Sequence, residues 1–272
     1  MDFDYKRWEG VELTRDILLE EFYRIEKEDP ESFDIKRCEI CGQPSSVHIY
    51  ESEFFGTFYS IDSVKHKNCI KIAKYEKLSI FDKSHKENTF ENSKPTNEKE
   101  KRYLDSFKKY CDNFEKAKKL GVGLLLTGKA GTGKTFCSNC ISNELKAQGN
   151  SVLSFNLSGY LQEIRKGFDE KENQLIEAIK SVDLIIIDDV GSENISDWGK
   201  EKMFNLFNEI YLNKKSCIIT TNNNAKELGE HLKINGSNKI LDRLLELCKP
   251  FKFDWESKRK NIGEEKFKNI FN

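Results

Sequence analysis

Neither sign of charge dominates this 272-residue chain, in which 45 Lys and Arg stand against 46 Asp and Glu for a formal net charge of -1. With no global basic field, attraction to nucleic acid or to an anionic membrane has to come from local clusters. Long apolar runs are missing too. No segment reaches the length that spans a bilayer, and the start, Met1 to Tyr5, lacks the basic-then-apolar build of a secretory signal. The expected compartment is therefore the cytoplasm, with no membrane partner. That compartment is reducing, so the eight cysteines read as free thiols or metal ligands before disulfides. The length accommodates one α/β domain and a smaller appendage.

What is present centres on Leu124-Leu-Leu-Thr-Gly128-Lys129-Ala130-Gly131-Thr132-Gly133-Lys134-Thr135, a buried strand running into a phosphate-binding loop. The glycines let backbone N–H groups curl round a β-phosphate, Lys134 reaches the β- and γ-oxygens, and Thr135 is placed to ligate Mg²⁺. Helical spacing from Phe136 to Gln148 puts the phosphates at a helix N-terminus, where the partial charge is positive. The expected ligands are ATP and Mg²⁺. Asp188 and Asp189 close an apolar strand 54 residues after Lys134, the arrangement of a Walker B site. Asp188 is assigned to the metal and Asp189 to the attacking water. Asn222, after the strand Cys217 to Thr221, suits a neutral group that orients water without taking its proton. Arg243 and Arg259 are candidates for the charge on a transferring phosphoryl group, or else surface ion-pair residues.

Ahead of this region the chain changes character. Val11 to Glu28 has the spacing of an amphipathic helix, which packs on the small domain behind it or offers a face to another protein. Cys38 and Cys41 are followed after 24 residues by His66 and Cys69. Two such corners supply the four donors a tetrahedral Zn²⁺ accepts, with His48 in reserve; the alternative is ordinary thiols and a surface histidine. Short β-prone runs between the corners suit a zinc ribbon, a fold too small to hold a core without metal. Lys65, Lys67, Lys71, Lys74 and Lys77 form either a phosphate-binding cluster or the solvated face of a helix with Ile70, Ile72 and Tyr75 inward. Residues 82–100 are rich in Lys, Asn, Glu and Ser and read as a flexible linker. The expected domains are thus 1–81, a helix plus zinc-binding partner domain, the linker 82–100, and the ATPase domain 101–272, which opens with helical spacing over Lys101 to Lys119.

Beyond the phosphate loop, strands and helices alternate through Leu247, with separate helices expected over 160–168 and 172–179. Such alternation predicts a parallel sheet with helices on both faces. Cys137 and Cys140 fall on the helix after Lys134 and read as core thiols.

Taken together, Gly-Lys-Ala-Gly-Thr-Gly-Lys-Thr, Leu-Ile-Ile-Ile-Asp-Asp-Val-Gly, Ile-Ile-Thr-Thr-Asn and Leu-Asp-Arg-Leu resemble the Walker A, Walker B, sensor 1 and arginine-finger segments of AAA+ ATPases of the DnaC/DnaI type. These are helicase loaders, related to the IstB transposition ATPases, and the likeness covers residues 101–260. The resemblance implies an AAA+-type P-loop fold, weak ATP hydrolysis stimulated by self-association, and loading of a hexameric replicative helicase onto single-stranded DNA. The cysteine-rich N-terminal domain, similar in layout to that of DnaI-type loaders, would grip the helicase. By the same resemblance Arg243 would be the finger completing a neighbour's site and Arg259 the sensor 2 residue. Lys258 stands where the loaders have tyrosine, so Lys258 or Lys260 could take that role. The loaders hold DNA on the insertion after the second strand, here Tyr160, Arg165, Lys166 and Phe168, a stretch that reads equally as an ordinary amphipathic helix. The alternative function is an IstB-type transposition helper acting on duplex DNA.

Overall fold

Four largely apolar runs and one that alternates buried and exposed residues, each five or six residues long, become the strands of one parallel sheet. The computed structural model of the protein describes residues 50–52, 56–58, 67–79, 87–193, 196–234, 236–259, 268 and 270. By contacts the chain divides into Met1–Cys69 and Ile70–Asn272. In the first unit, β1 (Tyr50–Ser52) and β2 (Gly56–Phe58) pair antiparallel with Glu51 opposite Thr57.

The second unit receives most of α1 (Lys67–Leu78) and continues with α2 (Glu98–Asp112) and α3 (Phe114–Leu120) before β3 (Gly123–Gly128). Then come α4 (Lys134–Ala147), β4 (Val152–Asn156), α5 (Leu157–Ser181), β5 (Leu184–Asp188) and α6 (Asp197–Leu212). The rest is β6 (Cys217–Thr221), α7 (Ala225–His231), α8 (Lys239–Leu247) and β7 (Cys248–Phe253). The sheet order is β4-β5-β6-β3-β7, and every neighbouring pair is parallel. Parallel neighbours require crossovers, which the helices supply on both faces.

Alternate residues along each strand feed two cores. Leu125, Leu153, Phe155, Ile185, Ile187 and Ile219 pack with α5 to α8. Leu124, Leu126, Val152, Leu184, Ile186 and Ile218 face the opposite way, toward α2, α3 and α4. Cys137 and Cys140 lie buried on α4, as expected of core thiols. Among the described residues no helix is long and apolar enough to cross a membrane.

Three details differ from the sequence reading. The stretch after β4 is one helix of 25 residues rather than two, since the glycine at 167 costs a helix only about 1 kcal/mol and is no obligatory break. Asn113 interrupts what read as a single helix over 101–119 and separates α2 from α3. Residues Glu87 to Asn97, inside the expected linker, rest on the second unit. Phe90 packs on its core, and the Asn88 carbonyl accepts from Asn143 Nδ2 at 2.9 Å. Composition counts apolar surface, and a segment that docks through its backbone escapes it. On α1, Ile72 and Tyr75 are buried and Lys74 and Lys77 exposed, while Lys71 pairs with Asp183 at 3.0 Å.

Candidate nucleotide site

The site forms where β3, β5 and β6 end, with the phosphate loop at its centre. Gly133 caps α4 with φ 98° and offers no side chain to the first helical turn, so amides there are left for an anion. Gly131 has φ 79°, and a Cβ on it would run into the Ser257 side chain, so the loop can pass this point only as glycine. The segment after β7 presses on the loop at two more points. Trp255 Nε1 donates to the Thr132 carbonyl at 2.9 Å, and the Lys258 amide donates to the Gly131 carbonyl at 2.9 Å.

Lys134 is buried, and its Nζ donates to the carbonyls of Gly128 (2.7 Å) and Lys129 (2.9 Å) and to Asn222 Oδ1 (2.8 Å). Burial pulls its pKa below the ordinary lysine value, Asp189 and Asp188 oppose that, and the Arg259 charge adds to it. Asn222 turns its other face to Asp189, with Nδ2 donating to Oδ1 at 2.7 Å. Thus one amide bridges the lysine and the second aspartate.

The first aspartate belongs to a parallel chain of bonds. Thr135 Oγ1 lies 3.1 Å from both Asp188 carboxylate oxygens, and Thr220 Oγ1 donates to Oδ1 at 2.6 Å. Burial raises the Asp188 carboxyl above its ordinary value, and the hydroxyls of Thr220 and Thr135 pull it back. Asp189 follows with φ 55°, a left-handed turn that aspartate tolerates. Its amide donates to Thr220 Oγ1 at 2.9 Å. A hydroxyl and a carboxylate side by side are hard oxygen donors of the kind Mg²⁺ takes, and the uncapped helix end beside Lys134 suits phosphate. The residues present therefore fit a magnesium nucleotide.

These groups open on a cavity of about 720 Å³ that also has Asn92, Lys94, Thr96, Phe136, Lys258 and Arg259 in its walls. The structure brings together the expected loop residues, Asp188, Asp189, Asn222 and Arg259. Asn92, Lys94 and Thr96 were missed because they carry no periodicity and fell in the expected linker. Thr220 had a signal, being a hydroxyl in a strand otherwise buried on both faces.

Arg243 does not line the cavity. It sits on α8, where Nη1 donates to Asn208 Oδ1 at 2.6 Å and the guanidinium lies 4.8 Å from the Tyr211 ring centroid. Lys258 is engaged by Glu100, and Lys260 lies outside the described residues. The expectation that Tyr160 stacks on bases is corrected. Its ring has no exposed surface and stacks on Phe155 in the core, with centroids 5.3 Å apart, so no base can reach it. Arg165 and Lys166 are exposed on the same helix, with Arg165 over the ring of Trp198 at 6.0 Å and Lys166 Nζ 3.5 Å from Glu163. Cys38, Cys41, His48, His66 and the side chains of Cys69 and Phe168 lie outside the described residues. Among the described residues no group of three or more His, Cys, Asp or Glu could hold a metal.

A parallel sheet with a phosphate loop after one strand and paired aspartates after another defines a P-loop nucleotide-binding fold. Known proteins agree. Residues 63–265 match the family described as IstB-like ATP binding protein, and the chain belongs to that family. It is 28% identical over 184 residues to the replicative helicase loader DnaC of Buchnera aphidicola subsp. Baizongia pistaciae, covering 66% of this chain and 72% of that protein. Identity to the replicative helicase loader DnaI of Bacillus subtilis is 24% over 149 residues, 51% of this chain and 48% of that one. The crystal structure of the DnaC helicase loader superposes with a TM-score of 0.57 at 23% identity, over 63% of this chain and 99% of that one, a likeness of fold.

Proposed function

We propose that this chain is an ATPase that loads a hexameric replicative helicase onto single-stranded DNA. The ATPase half of the reading rests on the bonded set Lys134–Asn222–Asp189 beside Thr135–Asp188. Lys134 and the first-turn amides of α4 would hold the phosphates, while Thr135 and Asp188 would hold Mg²⁺. Bound Mg²⁺ supplies positive charge against the oxygens of the transferring group. Asp189 polarises the attacking water, and Asn222 fixes that carboxylate and Lys134 relative to each other. Arg259 faces the same cavity from the segment after β7. Arg243, outside it, would act on a neighbouring copy's site in a self-assembled ring.

The loader half rests on relatives named replicative helicase loader across two thirds of the chain. In this reading residues 1–81 grip the helicase, with Zn²⁺ held by Cys38, Cys41, His66 and Cys69, and 82–100 joins them to the ATPase body. Single-stranded DNA meets α5 through Arg165 and Lys166, and the partly exposed Trp198 beside Arg165 takes the stacking role that buried Tyr160 cannot.

A second reading is favoured by the family's own description: a transposition helper of the IstB kind. One experiment separates the two. Full-length tagged protein is mixed with the purified replicative helicase of the same organism and, separately, with single-stranded and duplex DNA, with and without ATP. Helicase capture and ATP-dependent preference for single strands support the loader. Cooperative duplex binding with no helicase capture would establish the transposition helper instead.

A further inference from the structure

Besides the ends of β5 and β6, three chain segments far apart in sequence wall the nucleotide cavity: Asn92 to Thr96, the phosphate loop, and Lys258 with Arg259. Only the loop is part of a phosphate-binding motif. The other two are joined by one carboxylate. Glu100 Oε2 accepts from the Thr96 amide at 2.8 Å and from Thr96 Oγ1 at 3.0 Å. Its Oε1 pairs with Lys258 Nζ, and the same ammonium donates to the Lys94 carbonyl at 2.9 Å. The backbone of Lys258 meanwhile holds the Gly131 carbonyl of the loop. An unbroken chain of contacts results, running from the loop through Lys258 and Glu100 to Thr96.

We propose that the Glu100–Lys258 pair is a latch that holds the two outer walls of the cavity together and sets the rate at which nucleotide leaves, an inference that rests on the nucleotide-site reading above.

The pair is poorly explained as a stability device. The Glu100 side chain is 5% exposed and that of Lys258 23%, and for ion pairs so far out of water desolvation offsets most of the attraction. Glu100 also has what it needs without the lysine. It stands in the first turn of α2, where a helix favours negative charge, its own amide is capped by Asn97 Oδ1 at 2.8 Å, and Thr96 supplies two donors. The segment after β7 is likewise anchored elsewhere, through Lys99 with Asp254 at 2.7 Å and Trp255 with Thr132. What the lysine head adds is a direct tie from the wall at Lys258 to Glu100 and to the Lys94 carbonyl in the other wall. This is also the position at which the chain departs from the tyrosine of the loaders it resembles.

The test uses full-length protein and a fluorescent ADP analogue with Mg²⁺, chased with unlabelled ADP in a stopped-flow instrument. Glu100→Gln keeps an acceptor for Thr96 and removes the charge, and Lys258→Met keeps the stem and removes the head. Each should release the analogue about tenfold faster, the change that about 1.4 kcal/mol produces. The double variant should be no faster than either single one, because both break the same contact. Lys258→Arg, which restores a cation, should release slowly again. Release unchanged in both single variants, or a double variant whose acceleration is the product of the two, overturns the latch; so does a lowered thermal midpoint with unaltered release, which assigns the pair to structure alone. Wild-type protein that binds no adenine nucleotide removes the nucleotide-site reading itself, and the latch with it.

Discussion

Replacing Asn222 by aspartate exchanges one NH₂ for an oxygen and leaves the shape of the side chain intact. The exchanged group is the one that donates to Asp189 Oδ1 at 2.7 Å, while the unchanged oxygen accepts from Lys134 Nζ at 2.8 Å. Two carboxylates would then face each other. With charge centres about 4 Å apart and an effective dielectric constant of about 20, their repulsion is about 4 kcal/mol, enough to keep one proton shared between them near neutral pH. That proton occupies the oxygen that polarises water, and Lys134 gains a charged partner that competes with phosphate. Turnover should fall at least about a hundredfold, the scale of lost general-base assistance, and ATP affinity should fall about tenfold, as expected when a charged partner competes for the lysine. Residual turnover should rise with pH, because the raised carboxyl loses its proton only on the alkaline side. Asn222→Ala is the control: it adds no charge, so turnover drops while ATP binding changes little. Phosphate release and equilibrium titration with a fluorescent ATP analogue measure both quantities. Turnover within about threefold of wild type in Asn222→Asp would refute the bridge as a working part of the site.

Lys134→Ala should abolish ATP binding, whereas Asp189→Asn should bind ATP normally and lose turnover; unchanged hydrolysis in Asp189→Asn contradicts its role. Arg243→Ala should bind ATP but hydrolyse it slowly, and mixing it with Lys134→Ala protein should restore part of the turnover if the arginine works across an interface; no recovery at any ratio makes it structural. Burial pushes the Asp183 carboxyl up, but hydrogen bonds from Ser151 and the Lys71 charge outweigh it and hold its pKa below the ordinary value. Its contribution is therefore present above the unfolded carboxyl pKa and lost as pH falls through the lower folded one. Asp183→Asn should cost about 1–2 kcal/mol in urea unfolding at neutral pH after allowance for solvent access, and the gap should close in acid. Elemental analysis should find about one Zn²⁺ per chain, lost on Cys38→Ser or Cys69→Ser; folded, metal-free protein rejects that site.

Much of the nucleotide site was legible because its parts are local. Glycines at fixed offsets, a lysine and threonine at a helix start, and an acidic pair ending an apolar strand each announce themselves within a few residues. Tyr160 shows where locality fails. Its neighbours Arg165 and Lys166 are exposed, yet three to four residues per turn place the ring on the opposite side of α5, against Phe155. The Asn92 to Thr96 wall was invisible for another reason. It is held by carbonyls and by a buried glutamate whose lysine partner lies 158 residues further on, and no rule of composition or spacing pairs such groups.

The order of the strands carries the remaining step, since nothing in the alternation of helix and strand dictates it. With β6 between β5 and β3, the strand that follows the acidic pair in sequence lies between that pair and the phosphate loop. Its first residue beyond the end, Asn222, can then touch Asp189, 33 positions back, and Lys134, 88 positions back. Were β5 itself next to β3, the strand ends would stand one spacing of about 4.8 Å apart, and no residue of β6 would lie between the acidic pair and the loop. With β6 inserted the two strands are about two spacings apart, and Thr220 on the intervening strand and Asn222 just beyond its end fill the interval with one hydroxyl and one amide. In the proposed mechanism, sensing of the ligand and activation of water would thus be joined by position: any shift of β6 against β3 moves the amide that links Lys134 to Asp189.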